Sequence, residues 1–192
     1  DVTSPDDAVV QDRAYSDDPE IVSEQTVAAM SGLSDAGLIS SPKHFPGHGR
    51  ASGDTHLAEA ITPPLEELEN HEFIPFRNAI PAAPNAALMM GHLAVPGLGD
   101  GQTPASILPE AYGLAREALQ YDGTIYTDDI GGMAAISDSL PLADAVITSL
   151  AAGADMGPAA QAPLIRARAK TADEAKAWTR KGDLLKGARR EA

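Results

Sequence analysis

The chain has 192 residues, enough for one sizeable hydrophobic core, and carries 14 basic against 28 acidic side chains, a net charge of −14. This charge argues against nucleic acid or an anionic membrane as the main partner, and the absence of cysteine excludes disulfides and thiolate metal sites. The sequence shows no signal-peptide pattern and no apolar run of membrane-spanning length. Since it begins at Asp1 rather than Met, we expect a processed or partial product and leave its compartment open.

Hydrophobic periodicity predicts alternating helices and strands after a polar, Asp-rich loop over residues 1–17. Helices are predicted over residues 17–37, 64–80, 106–119 and 140–151. Strands are predicted over residues 38–44, 85–93, 123–129 and 153–156, with the apolar pair Leu38-Ile39 ending a buried strand. This alternation favours a parallel α/β architecture.

Charge is divided unevenly along the chain. Residues 1–163 carry five Lys/Arg and 24 Asp/Glu, whereas residues 164–192 carry nine and four. We therefore predict two regions: a main α/β body over 1–163 and a basic helical segment over 164–192, anchored by Trp178 and a few leucines.

Polar side chains close each predicted strand of the main body. Lys43-His44 follows the first strand, His92 the second, and Asp128-Asp129 the third. In a parallel sheet or barrel the carboxyl ends of the strands share one face, so we expect these three groups to converge.

The loop after the first strand contains Asp54-Thr55-His56. This spacing lets Asp54 accept a hydrogen bond from one ring nitrogen of His56, which would fix the tautomer and raise the basicity of the other nitrogen. The alternative is a solvated Asp and His in a glycine-rich loop.

Asp128 and Asp129 allow two interpretations. One of them could act as a nucleophile or metal ligand while the other is structural, or the pair could cap the following helix. Four histidines raise the question of zinc, but no two have the spacing of familiar zinc sites, so no metal is predicted. By pattern alone Met133 is expected to pack rather than to bind a ligand.

Two motifs taken together resemble a known family. Lys43-His44-Phe45-Pro46-Gly47-His48-Gly49, followed by Asp54-Thr55-His56, resembles the signature of the glycoside hydrolase family 3 β-N-acetylglucosaminidases. Thr127-Asp128-Asp129-Ile130-Gly131-Gly132-Met133 resembles their nucleophile strand. Shorter matches in the same order are 12–15, 91–93 and 152–156, so the resemblance spans roughly residues 1–157.

This resemblance implies a (β/α)8 TIM-barrel type of fold and a set of site residues. Asp128 would be the nucleophile and His56 the acid/base, oriented by Asp54. Further substrate-binding residues would be Arg13, Lys43, His44, His92 and Met133. No cofactor or metal is implied, and the partner would be a small carbohydrate. The glycine-rich loop would let His56 swing over the bound sugar.

The strands counted here are too few for a closed barrel, so we expect its first strands to precede Asp1 and residues 1–163 to be the C-terminal part of the barrel. The predicted function is a retaining exo-β-N-acetylglucosaminidase that removes terminal N-acetylglucosamine from peptidoglycan-derived muropeptides. The alternatives are a β-glucosidase of the same family and a sugar-binding chain that cannot turn over. Similarity to actinobacterial members, often envelope lipoproteins, suggests an envelope or extracytoplasmic location, with the cytoplasm as the alternative.

Overall fold

The computed structural model describes residues 1–4 and 7–155. The predicted basic segment over 164–192 lies outside these residues. Of the predicted strand over 153–156, residues 153–155 are described and form no strand, although the Asp155 N–H donates to Ile125 O (2.8 Å). The helices are α1 (Pro19–Asp35), α2 (Leu65–Glu69), α3 (Phe73–Ala79), α4 (Pro109–Ala118), α5 (Ala134–Ser137) and α6 (Leu142–Ala152). The strands are β1 (Ala60–Ile61), β2 (Leu88–Met90), β3 (Leu93–Ala94) and β4 (Ile125–Thr127).

All strand pairs in the described residues are parallel. β2 pairs with β4, with Leu88 opposite Ile125 and Met90 opposite Thr127, and β1 pairs with β3. Helices separate β2 from β4 in the chain, as a parallel crossover requires. The predicted α/β class with the parallel strands of a TIM-barrel type fold is therefore confirmed.

The segment that precedes the glycine-rich loop runs beside β2. The N–H of Ala87 donates to Ser40 O (2.9 Å), and the N–H of Phe45 donates to Met89 O (2.9 Å). No strand forms over the predicted residues 38–44, although the segment lies beside β2 where that strand was expected. The expected burial of Leu38 and Ile39 is wrong, because they are 59% and 73% exposed.

The predicted helix over 64–80 is divided into α2 and α3. A continuous helix would place the ring of Pro75 against the carbonyl of His71, one turn earlier, and would remove a hydrogen bond. Starting α3 at Phe73 instead puts Pro75 in the first turn, where its missing N–H costs nothing.

The main core lies between β2, β4 and the helices α3 and α4. Phe45 is fully buried, with its ring 5.0 Å from that of Phe73 and 5.4 Å from that of Phe76. Each buried aromatic side chain contributes roughly 1.5–3 kcal/mol. The loop over 43–50 is therefore anchored from below by the hydrophobic core. Among the described residues, no helix is both long and apolar enough to cross a membrane.

Candidate active site

Asp1 organises the loop that carries His44 and His48. Its Oδ1 accepts hydrogen bonds from the backbone N–H groups of His44 (3.0 Å) and His48 (2.8 Å), and its Oδ2 lies 2.7 Å from His44 Nδ1. The carboxylate is only 3% exposed. Sequence reasoning missed this residue, because nothing distinguishes it from the other aspartates of the polar opening segment.

His44 lies between Asp1 and Asp128. Its Nε2 is 3.5 Å from Asp128 Oδ2, so the structure brings these two predicted site residues together. Burial lowers the pKa of His44 to about 4, with the nearby Asp128 carboxylate opposing the shift. The ring is therefore neutral near pH 7. Because Nδ1–H donates to Asp1, Nε2 presents a lone pair that can accept a hydrogen bond from a hydroxyl group.

Asp128 and Asp129 do different things at the end of β4. The N–H of Asp128 donates to Met90 O (2.9 Å), and its side chain is 21% exposed and faces His44. Asp129 is exposed, and its Oδ1 accepts the N–H of Gly131 (3.0 Å). Asp129 thus shapes the turn after β4, whereas the Asp128 carboxylate faces the His44 ring.

The hydrogen bond predicted between Asp54 and His56 is present. Asp54 Oδ1 lies 2.8 Å from His56 Nδ1 and also accepts the His56 backbone N–H (2.9 Å). These bonds, led by the one from the backbone N–H, lower the pKa of Asp54. His56 is 57% exposed, so its Nε2 is open to solvent and to a ligand.

Thr55, between these two residues, is buried at 2% exposure. Its Oγ1 is 3.3 Å from His48 Nε2, and its carbonyl accepts the N–H of Ala135 at the start of α5 (3.2 Å). Burial lowers the pKa of His48, which keeps this ring neutral as well. Swinging of His56 on this loop stays a prediction, and the centre of the loop is anchored at Thr55.

His92 is 1% exposed, and its Nδ1 lies 2.7 Å from Ser106 Oγ. Its Nε2 is buried and makes no hydrogen bond to any described residue. Burial lowers the pKa of His92, again with Asp128 opposing the shift. Met133 is buried (4% exposed) next to α5, which fits the packing expected from its pattern. Their roles in substrate binding stay predictions.

Arg13 and Lys43 lie beside a cavity that is lined by none of His44, His56, His92 and Asp128. Both are exposed, and both line this cavity together with Asp1 and Tyr15. The Arg13 guanidinium donates to Val10 O (3.0 Å) and Val9 O (2.7 Å), so part of its donor capacity is used by its own loop. The positions of both cations are compatible with binding sugar hydroxyls.

An ion pair supports the loop from beneath. The Arg50 guanidinium donates from Nε to Glu72 Oε1 (2.6 Å) and from Nη2 to Oε2 (2.9 Å), and Glu72 is 1% exposed. Gly47, at φ 137°, packs on the methylene groups of Glu72, and a Cβ there would lie 2.5 Å from Glu72 Cγ. Neither partner was predicted from the sequence, where the pair is 22 residues apart.

Metal binding finds no support in the part of the chain that the structure describes. No group of three or more His, Asp or Glu side chains there could hold a metal ion.

The sequence matches the model of the "Glycosyl hydrolase family 3 N terminal domain" over residues 1–178. The chain belongs to glycoside hydrolase family 3. This confirms the family that the histidine-rich loop and the Asp128 motif resemble.

Relatives within family 3 include beta-hexosaminidases. The chain is 45% identical to the Beta-hexosaminidase LpqI of Mycobacterium tuberculosis over 162 residues, covering 81% of the chain and 41% of that protein. It is 36% identical to a Beta-hexosaminidase of Xanthomonas oryzae pv. oryzae, covering 77% and 43%. The chain therefore spans about two fifths of the length of these curated relatives.

Solved family 3 structures have the same fold. M. tuberculosis LpqI matches with a TM-score of 0.81 at 42% identity, covering 88% of this chain and 51% of that one. A family 3 β-N-acetylglucosaminidase from Paenibacillus sp. matches with a TM-score of 0.74 at 34% identity, covering 80% and 29%.

Proposed function

We propose that this chain carries the catalytic residues of a retaining exo-β-N-acetylglucosaminidase. The observation that carries the proposal is the Asp128 carboxylate, partly exposed at the end of β4 and 3.5 Å from the neutral His44. A carboxylate that is partly exposed and faces a neutral imidazole can act as a nucleophile towards a sugar carbon. The names of the relatives, beta-hexosaminidase and β-N-acetylglucosaminidase, support the acetamido sugar as substrate.

The reaction divides between Asp128 and the Asp54–His56 pair. Asp128 attacks the anomeric carbon and forms a glycosyl ester, while the bond to the leaving oxygen breaks and His56, in its protonated form, gives that oxygen its proton. His56 then takes a proton from water, which attacks the same carbon and releases Asp128. Asp54 orients the imidazole through Nδ1, 2.8 Å away, so Nε2 is the nitrogen that transfers the proton.

An imidazole in the acid/base role suits this site. It can give and take a proton without placing a second carboxylate beside Asp128, where the two like charges would repel each other. The hydrogen-bonded Asp54–His56 pair favours the N-acetylglucosaminidase over a β-glucosidase of the same family, which more often uses a carboxylic acid from elsewhere in the chain.

The test is release of a chromophore from an aryl β-N-acetylglucosaminide and from the matching β-glucoside. We expect preference for the acetamido sugar and, in Asp128→Asn, a loss of kcat of at least about 10³-fold. Asp129→Asn is the matched control, because it changes the neighbouring carboxylate that shapes the turn, and should keep activity within about tenfold. Equal losses in the two variants would refute Asp128 as nucleophile.

The acid/base assignment has its own test. His56→Ala should lower kcat by about 10²–10⁴-fold, and azide should restore turnover of an activated aryl glycoside by replacing water as nucleophile. If the parent chain is stabilised by N-acetylglucosamine but releases no chromophore, the sugar-binding alternative is supported instead.

The natural substrate that we propose is a muropeptide-type fragment with a terminal N-acetylglucosamine, and the proposed location is the cell envelope. Release of N-acetylglucosamine from purified muropeptides, compared with chitobiose, tests the first. Fractionation of cells that express the protein tests the second.

A further inference from the structure

The loop that carries Asp54 and His56 is held at its base, where the Ser52 N–H donates to Ile61 O (2.8 Å), and again at Thr55. The hydrogen bonds of Asp54 and His56 are local, joining them to each other and to Leu57 and Ala58. Thr55 is the residue of 54–58 whose hydrogen bonds reach other described segments, through Oγ1 to His48 Nε2 (3.3 Å) and through its carbonyl to the Ala135 N–H (3.2 Å). Thr55 therefore joins the exposed pair to His48 and to α5, in addition to the covalent chain on either side.

Both hydrogen-bond partners of Thr55, His48 and Ala135, are connected to Asp128 through the folded chain. On one side, the His48 N–H donates to Asp1, whose carboxylate holds His44, and His44 Nε2 is 3.5 Å from Asp128. On the other side, Ala135 lies in the first turn of α5, which follows the turn after β4. Buried Thr55 thus connects the Asp54–His56 pair to two segments that lead to Asp128: the loop that carries His48, and α5.

We propose that Thr55 is a positioning residue that fixes the Asp54–His56 pair relative to Asp128, through its hydroxyl on His48 and its carbonyl on Ala135. The catalytic consequence rests on the function proposed above. A proton donor displaced by about 1 Å from its productive position can cost about 100-fold in rate. The Thr55 hydroxyl is the only part of this connection that a conservative substitution can remove.

Three variants isolate the hydroxyl. Thr55→Val keeps the shape of the side chain and removes the hydrogen bond, and Thr55→Ser keeps the hydroxyl. Thr62→Val is the matched control, since Thr62 is also buried (5% exposed) and donates to Pro63 O (2.8 Å), away from the pair.

Kinetics on two aryl N-acetylglucosaminides, measured on the 192-residue chain, give the first readout. With a poor leaving group, which needs protonation by His56, Thr55→Val should lose about 10- to 100-fold in kcat with KM within about threefold. With a dinitrophenyl leaving group the loss should be much smaller. Thr55→Ser should recover most of the activity. An equal loss on both substrates, or the same loss in Thr62→Val, would overturn the proposal.

Backbone NMR relaxation gives a second readout that does not need turnover. Thr55→Val should increase the motion of the Asp54 and His56 amides, whereas Thr62→Val and Thr55→Ser should not. If Thr55→Val shows this change but the parent chain hydrolyses neither substrate, the proposed function is contradicted and the positioning role is still supported. Unchanged motion in Thr55→Val would overturn the positioning role, whatever the activity of the parent.

Discussion

Replacing Arg50 tests the ion pair beneath the histidine loop. Arg50→Met keeps most of the aliphatic packing and removes both hydrogen bonds to Glu72, whose carboxylate is 1% exposed. Breaking a buried pair by removing one partner typically costs about 3–5 kcal/mol, because the other charge stays buried. Since the Arg50 side chain is itself 37% exposed, water can reach part of the vacated space, and we expect about 2–3 kcal/mol.

Thermal and urea unfolding followed by circular dichroism measure this loss. For a chain of this size, 2–3 kcal/mol corresponds to a fall in Tm of about 5–10 °C. Glu67→Gln is the matched control, because Glu67 also faces Arg50, at 3.4 Å, but is 57% exposed. Exposed pairs of this kind contribute about 0–0.5 kcal/mol, so this variant should unfold almost like the parent.

A double variant separates the lost pair from the stranded charge. Arg50→Met with Glu72→Gln should recover at least about 1 kcal/mol relative to Arg50→Met alone, because no carboxylate is then left without its cation. The reasoning would be refuted if Arg50→Met cost no more than Glu67→Gln, or if the double variant recovered nothing.

Two further predictions concern the backbone and the titration of the site. Gly47→Ala should lower the free energy of unfolding by at least about 2 kcal/mol, because its backbone has a φ of 137° and its new Cβ would meet Glu72. Gly113→Ala, in open space on α4, should raise the free energy of unfolding by about 0.5–1 kcal/mol. Denaturant midpoints measure both effects, and equal effects would contradict the packing described for Gly47. Burial lowers the pKa of His44 from 6.5 to about 4, so between these pH values the unfolded chain binds more protons than the folded chain. The free energy of unfolding should therefore fall by roughly 3 kcal/mol through His44 as the pH falls from 6.5 to 4. The free energy of unfolding should depend less on pH across this range in His44→Gln than in the parent. The same pH dependence in both proteins would show that His44 titrates normally.

The sequence predicted the elements whose signals are local. The helix predicted over 17–37 from its periodicity is α1, and the Asp18 side chain caps it by accepting the N–H groups of Glu20 and Ile21. The 54–56 hydrogen bond was predictable for the same reason, since both partners lie within three residues. The approach of His44 to Asp128 followed from the rule that parallel strands end on one face.

Contacts between distant residues could not be predicted in this way. Asp1 contacts His44 across 43 positions, and Arg50 contacts Glu72 across 22. Neither partner has a distinguishing local pattern, and each becomes visible only when the loop is folded. The short strand β1 was missed because two residues carry too little periodicity to identify.

Burial affects the charge of three histidines in the candidate site. The pKa values of His44, His48 and His92 are all lowered by burial, so none of the three places a positive charge beside Asp128 near pH 7. In the reaction proposed here the anomeric carbon becomes oxocarbenium-like, and the negative field of the Asp128 carboxylate favours that charge. An uncharged sugar gains little from the same field. The burial that keeps these rings from taking up a second proton would thus help the enzyme to distinguish the transition state from the ground state.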